Sequence, residues 1–197
     1  GDREHTLATI TKIVAGSTPE VADFLVELYA KVVPAGLHKA NSIKVAEAAK
    51  VIENTQRDLN IALVNEMAML CHELGIDVWE AIEAAASKPF GFMAFYPGPG
   101  VGGHCIPVDP TYLAWLVRRD VGYGFRLVEE AQDVNAQMPA YVVTRIGDAL
   151  SEHGKPLRGM DVLVLGVSYK PDVGDVRESP AVAVMSQLRR RGARVRY

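Results

Sequence analysis

From about Asn41 to Leu74 the chain runs without a glycine or proline, and Gly75 then offers a natural stop. Val45, Ala49, Ile52, Leu59, Leu63, Leu70 and Leu74 recur at intervals of three, four and seven, the signature of one long helix. This is the dominant element, and the rest of the fold is read around it. Between Leu59 and Cys71 it is apolar on nearly every side, so this half is expected to be buried, with a subunit interface as one candidate cover.

Upstream, Thr6 to Val14 carries helical or mixed patterning. Pro19 to Val33 reads as a helix, with Ser17-Thr18-Pro19-Glu20 as its start: a hydroxyl cap, then proline in the first turn. Downstream, helices are expected over Val78–Ala86, Pro110–Arg119 and Phe125–His153, with Met138-Pro139 a place for a kink or split in the last. The character then changes. Lys155 to Gly159 forms a linker, and Asp161 to Gly166 has the composition of a buried strand. Ser179-Pro180 caps a helix that ends at Arg191-Gly192, and Arg194 to Tyr197 begins a second strand. Strand, helix, strand is the opening of a parallel α/β unit.

Of the 197 residues, 49% are hydrophobic and 23% charged, enough for a packed core. A formal net charge of -3 gives no reason to expect nucleic acid or an anionic membrane surface. No apolar run approaches the ~20 residues that span a bilayer, and nothing resembles a signal peptide. Cys71 and Cys105 are the only cysteines, which excludes a disulfide framework and a CxxC metal pair. A reducing cytoplasm is the expected compartment. The chain opens without an initiator Met and closes on a strand-like segment, which reads as a piece of a longer polypeptide.

Three groupings carry chemistry. In the first, Phe95-Tyr96-Pro97-Gly98-Pro99-Gly100-Val101-Gly102-Gly103 leads into His104-Cys105 and on to Asp109. Such a run brings backbone amides close to a ligand and offers them to anions. A thiol at its end, activated by a positive neighbour or an amide-rich loop, would be a nucleophile. Asp109 suits a base for water, a cap for the helix beginning at Pro110, or both. His104 points away from its neighbour in an extended loop, which argues against a Cys–His dyad. Cys71, on its apolar helix, reads as buried filler.

In the second grouping, Lys50 and Asn54 stand at i and i+4 on the long helix, with Glu47 and Arg57 nearby. A solvated polar stripe is the plain reading. A charge clamp and an oxyanion donor is the functional one. The third grouping is the 13-residue loop from Val167 to Ser179, long for a strand-to-helix connection, where ~2–6 residues are usual. Overlong loops at the carboxyl end of parallel strands bind ligands, and Lys170 and Arg177 suit a phosphate. The loop is neither a Walker loop nor a GxGxxG turn.

Taken together, these motifs resemble the nucleotide-sugar 6-dehydrogenases, the UDP-glucose/UDP-N-acetylmannosamine dehydrogenase family. Gly98-x-Gly100-x-Gly102-Gly103-x-Cys105-x-x-x-Asp109 looks like its catalytic loop, and Ala46 to Thr55 like its central-helix signature. Tyr169-Lys170-Pro171 with Asp175-x-Arg177-Glu178-Ser179-Pro180 looks like the entrance to its UDP-binding domain. The resemblance implies that residues 1–35 are the tail of an N-terminal NAD-binding domain. Residues 36–156 would be a mainly α central dimerisation domain, with helices like those of the 6-phosphogluconate dehydrogenase C-terminal domain. Residues 157–197 would start a Rossmann-like α/β UDP-binding domain. The GxGxxG fingerprint that opens the family's N-terminal NAD-binding domain is not in this segment, so the piece alone is expected to be inactive.

The same resemblance implies a four-electron oxidation of the sugar C6 alcohol to a carboxylate with two NAD⁺. Cys105 would attack the aldehyde and carry a thioester, Lys50 and Asn54 would stabilise charge on the C6 oxygen, and Asp109 would help activate water. Tyr96, Pro97, Gly98, Pro99, Gly100, Val101 and Gly102 would line the sugar diphosphate, and Tyr169 and Lys170 would complete the UDP site. Arg177 would reach NAD, beside Cys105, and Lys88 would contact the substrate. A homodimer through the long central helix is implied, and no metal. Val108-Asp109-Pro110 resembles the branch acting on UDP-N-acetylhexosamines rather than UDP-glucose. With Gly91-Phe92-Met93 and Phe95-Tyr96, it is most similar to the UDP-N-acetylglucosamine 6-dehydrogenases. Weighed against this are a dimerisation module with a vestigial site, a thiol hydrolase using Cys105 and His104, and a zinc role for Cys71, His72, His104 and Cys105, which lack closed-site spacing.

Overall fold

The structure, a computed structural model, describes residues 4–197, so the first three residues of the segment 1–35 lie outside it. The chain divides into two compact units, one ending at Glu53 and one beginning at Asn54.

In the first unit, strand β1 (Lys12–Val14), helix α1 (Pro19–Ala30) and strand β2 (Leu37–Lys39) form a βαβ turn. β1 and β2 pair in parallel, Lys12 opposite Leu37 and Val14 opposite Lys39. The mixed patterning of Thr6 to Val14 resolves into a turn and β1, not a helix. The Thr18 hydroxyl accepts from the Val21 amide at 3.3 Å, and Pro19 stands in the first turn of α1. Val14, Ala22, Val33 and Ala40 form the interior of this unit. The unit also contains the start of the long helix α2 (Ile43–Glu73).

The second unit is mostly helical. It contains the remainder of α2, then α3 (Val78–Ala86), α4 (Cys105–Val121) and α5 (Arg126–Glu152). Strand β3 (Asp161–Leu163), helix α6 (Pro180–Arg190) and strand β4 (Arg194–Arg196) follow. β3 and β4 are parallel, and the Asp161–Arg194 pair at the start of the register is also a bidentate ion pair at 2.7 and 2.8 Å. Val143 of α5 packs with Val184 and Leu188 of α6 and with Ala193, while Val162 and Val195 of the strands close the cluster. One long helix thus serves two purposes: the C-terminal half of α5 roofs the α/β unit, and its N-terminal half faces the polar groups described below.

Three expectations change here. β3 stops at Leu163, so the connection to α6 is longer than Val167 to Ser179. The half of α2 expected to be buried is covered on one side only. Ala62, Val64, Asn65 and Cys71 are buried, but Leu63, Met67 and Leu70 are exposed in this chain. Finally, α5 runs unbroken through Pro139, because only one carbonyl loses its donor there.

Candidate active site

Cys105 is the first residue of α4, where the sequence alone places the helix start at Pro110. The physical reason is that a proline can occupy the second turn when the loop upstream has already fixed the helix direction. As a result, Cys105 and Asp109 lie one turn apart on one helix face rather than in a loop and at a cap. Cys105 is exposed and free, at the helix end whose first amides lack intrahelical partners. Asp109 accepts a hydrogen bond from Asn54 Nδ2 at 2.6 Å. Asn54 is 1% exposed, and its Oδ1 is buried without a partner. The neighbouring Thr55 hydroxyl is likewise buried and unpartnered.

Lys50 stands one turn before Asn54 on α2, exposed, with its ammonium 3.7 Å from Glu53. Lys88 follows the end of α3, its amide bonded to the Ala85 carbonyl. The Tyr96 ring stacks on Trp79, with centroids 5.6 Å apart and planes within 15°. Trp79 is fixed in turn by the first turn of α3, whose Asp77 cap accepts from the Trp79 amide at 2.9 Å.

The glycine-rich loop passes over α2 and α5 and meets the loop that follows β3. The Gly98 amide donates to Asn65 Oδ1 on α2 at 2.9 Å. Gly100 crosses the Asn135 carbonyl, the group that Pro139 cannot serve with an N–H; a Cβ at Gly100 would lie 3.1 Å from that oxygen. Gly102 lies so close to Tyr169 that a Cβ would sit 2.6 Å from the tyrosine Cβ. Together Pro99, Gly100, Gly102, Tyr169, Lys170 and Pro180 line a cleft of about 450 Å³. Two of the three sequence groupings are therefore brought to one cleft.

Two of the sequence-named residues turn to Asp175. Arg177 forms a bidentate pair with Asp175, at 3.0 and 2.8 Å. The pair holds the Asp175 carboxyl well below the usual carboxylate range and raises the Arg177 guanidinium. His104 turns to the same aspartate, its Nε2 3.8 Å from Asp175 Oδ2, and so ties the loop before Cys105 to the loop before α6. Lys170 lies against the Tyr169 ring, 5.4 Å from its centroid. Among the described residues, no group of three His, Cys, Asp or Glu side chains is placed to hold a metal ion.

Beneath the loop runs a polar chain that the motifs do not announce. Asn65 Nδ2 donates to Asn135 Oδ1 at 3.0 Å, and Asn135 Nδ2 donates to Asp58 Oδ1 at 3.0 Å. Gln132 Nε2 donates to Asp58 Oδ2 at 2.8 Å. Asp58 and Asn65 are 0% exposed. Burial raises the Asp58 carboxyl above its ordinary value, against the opposing effect of the Gln132 and Asn135 hydrogen bonds. A signal was present in the sequence: Asp58 and Asn65 stand seven apart, two turns along one face of the long helix.

Family comparison then gives this geometry its context. The model for the UDP-glucose/GDP-mannose dehydrogenase family central domain matches residues 44–137, and that for the family's UDP binding domain matches residues 163–197. The chain belongs to this family. It is 45% identical over 188 residues to a UDP-N-acetyl-D-glucosamine 6-dehydrogenase of Pseudomonas aeruginosa, covering 95% of this chain and 44% of that protein. It is 39% identical to a UDP-N-acetyl-D-mannosamine dehydrogenase of Methanocaldococcus jannaschii, over 90% of this chain and 39% of the other. The fold superposes on a UDP-glucose dehydrogenase of Pyrobaculum islandicum with a TM-score of 0.83 and 32% identity, over 95% of this chain and 42% of that one. The chain thus spans less than half the length of these family members. Three different sugars appear in their names, so backbone similarity does not select the substrate.

Proposed function

We propose that the full-length protein containing this chain is an NAD-dependent dehydrogenase that oxidises the C6 hydroxyl of a UDP-N-acetylhexosamine to the uronic acid, through a thioester on Cys105. The observation that carries this reading is the Asn54–Asp109–Cys105 arrangement: a buried amide fixes a carboxylate one helical turn from an exposed thiol. The 45% identity to a UDP-N-acetyl-D-glucosamine 6-dehydrogenase favours the N-acetylglucosamine epimer.

Of the residues expected near NAD, Cys105 stands exposed and fits a place beside the reacting carbon. Arg177 gives Nε and Nη2 to Asp175 and would meet a phosphate through Nη1. NAD, when bound, supplies the hydride acceptor. The chain's own residues do the rest. Cys105 adds to the C6 aldehyde, and the adduct, once oxidised, is a thioester that water cleaves to release the acid and the thiol. Asn54 Nδ2 has a second N–H beyond the one given to Asp109, available with Lys50 to negative charge on the C6 oxygen. Asp109 takes the proton from the attacking water. The glycine loop from Tyr96 to Gly102, Tyr169 and Lys170 would hold the UDP-sugar, with Lys88 a further substrate contact. The domain layout is read as the tail of an NAD-binding domain to residue 35, a central domain resembling the 6-phosphogluconate dehydrogenase helices to 156, and the start of a Rossmann-like UDP-binding domain. A reducing compartment, the cytoplasm, would keep Cys105 as a thiol.

A second feature supports a homodimer. Leu63, Met67 and Leu70 of α2, with Leu74 just past its end, form an exposed stripe spaced four, three and four apart, as on helices that pack against a partner. Among the described residues no helix is long and apolar enough to cross a membrane.

The thioester is tested by Asp109→Asn in the full-length enzyme, given UDP-N-acetylglucosamine and NAD. The Cys105 peptide should gain the mass of the oxidised sugar nucleotide. An unmodified Cys105 together with full uronic acid production would remove the thioester from the scheme.

A further inference from the structure

The chain of buried side chains from Asp58 to Gly98 has a direction, and the direction can be deduced. A backbone N–H can only donate, so the Gly98 amide requires the oxygen of Asn65. That turns Asn65 Nδ2 toward Asn135, which must present its oxygen, and so turns Asn135 Nδ2 toward Asp58. Neither amide can flip without facing donor against donor. The relay ends on a carboxylate, an acceptor, so every bond in it is satisfied. Asn135 is 6% exposed and its two neighbours 0%, so water does not repair a broken link.

Such a network is a poor choice for stability alone, since apolar residues of similar volume often pack better. Its far end is the amide at the head of Gly98-Pro99-Gly100, the run that leads to Cys105. We propose that Asp58, Asn135 and Asn65 are positioning residues: through one polarised relay they set the height of the glycine-rich loop over α2 and α5, and hence the affinity for the diphosphate of the sugar nucleotide. This rests on the function proposed above, and it adds residues that neither the catalytic loop nor the central-helix signature contains.

Reversing the relay tests it. The carboxylate introduced by Asn65→Asp still accepts from Gly98, but it forces Asn135 to turn its nitrogen toward position 65 and its oxygen onto Asp58. With Asp58→Asn added, the amide at position 58 donates to Asn135, accepts from Gln132, and every bond is restored in the opposite sense. The buried charge is moved, not removed. In the full-length protein, N65D should speed hydrogen exchange of the peptide bearing Gly98 and raise KM for UDP-N-acetylglucosamine about tenfold or more, the scale of one unsatisfied buried group. N65D/D58N should return both toward the parent. D58N alone should keep slow exchange, because Gln132 can turn its amide.

A purely structural role would lower the folded fraction and leave KM of the remaining enzyme alone. If N65D exchanges like the parent, or the second substitution restores nothing, the relay is wrong. If exchange follows the relay while KM stays constant, its role in substrate positioning is wrong. A parent enzyme that oxidises no UDP-sugar would overturn the proposed activity, and the exchange pattern would still decide the relay.

Discussion

Asn54 and Asp109, 55 positions apart in the chain, are joined by a hydrogen bond of 2.6 Å. Asp109 shares a helix face with Cys105, so the buried asparagine of α2 orients the carboxylate that stands one turn from the thiol. A polar stripe on a long helix and a thiol at the end of a glycine run are two separate sequence signals. In three dimensions the Asn54–Asp109 bond joins them.

Asp109→Asn can still take the Asn54 hydrogen bond through its own Oδ1, so it should fold with stability close to the parent. It lacks the base, and kcat should fall by ~10²–10⁴, the usual contribution of a positioned general base. Steady-state kinetics beside a thermal melt separates the two effects. A variant that loses rate only by unfolding would mean that Asp109 is structural.

Gly102→Ala would push a methyl to 2.6 Å from Tyr169 Cβ and 3.1 Å from the Glu178 carbonyl. Overpacking of that kind costs ~1–3 kcal/mol. At Gly98 the nearest atom to an added Cβ is 3.9 Å away, so Gly98→Ala should change stability by less than ~1 kcal/mol. Equal melting temperatures for the two variants would contradict the packing of the glycine loop on Tyr169.

These two glycines show what the sequence could and could not tell. The loop was legible because glycines and prolines are punctuation visible in one dimension. Its neighbours were not, because Tyr169 and Asn65 meet it only after the chain has folded. Likewise the period of α2 was plain, whereas which side of it stays open depended on where α5 and the glycine loop settle. The start of α4 was misplaced by five residues because Pro110 reads locally as a helix beginning. The Arg177–Asp175 pair was not legible, because the motif names both residues without saying that their side chains turn to each other.

Leu63→Glu with Leu70→Glu should separate a homodimer held by the exposed stripe of α2. In the full-length protein, the dissociation constant should rise at least ~30-fold, as when central apolar anchors are lost. Sedimentation velocity reads this directly. A parent that sediments as a monomer, or a variant that stays dimeric, would move the interface elsewhere.

Burial raises the Asp58 carboxyl in the folded state, so folding takes up a proton there just above the ordinary carboxylate pKa. The sign follows from linkage: this contribution is fully present below the unfolded value and is lost as pH rises through the folded one. Asp58→Asn abolishes that slope. Its melting temperature relative to the parent should therefore improve between pH ~4 and ~7. A difference that stays flat, or worsens, would mean that the Gln132 and Asn135 hydrogen bonds outweigh desolvation.

The measurement that bears most directly on the central claim is the number of NADH molecules formed per UDP-N-acetylglucosamine consumed by the full-length protein. Two NADH per sugar, with the uronic acid as product, is the result expected of an oxidation that passes through a Cys105 thioester. One NADH per sugar, with an aldehyde released, would contradict it.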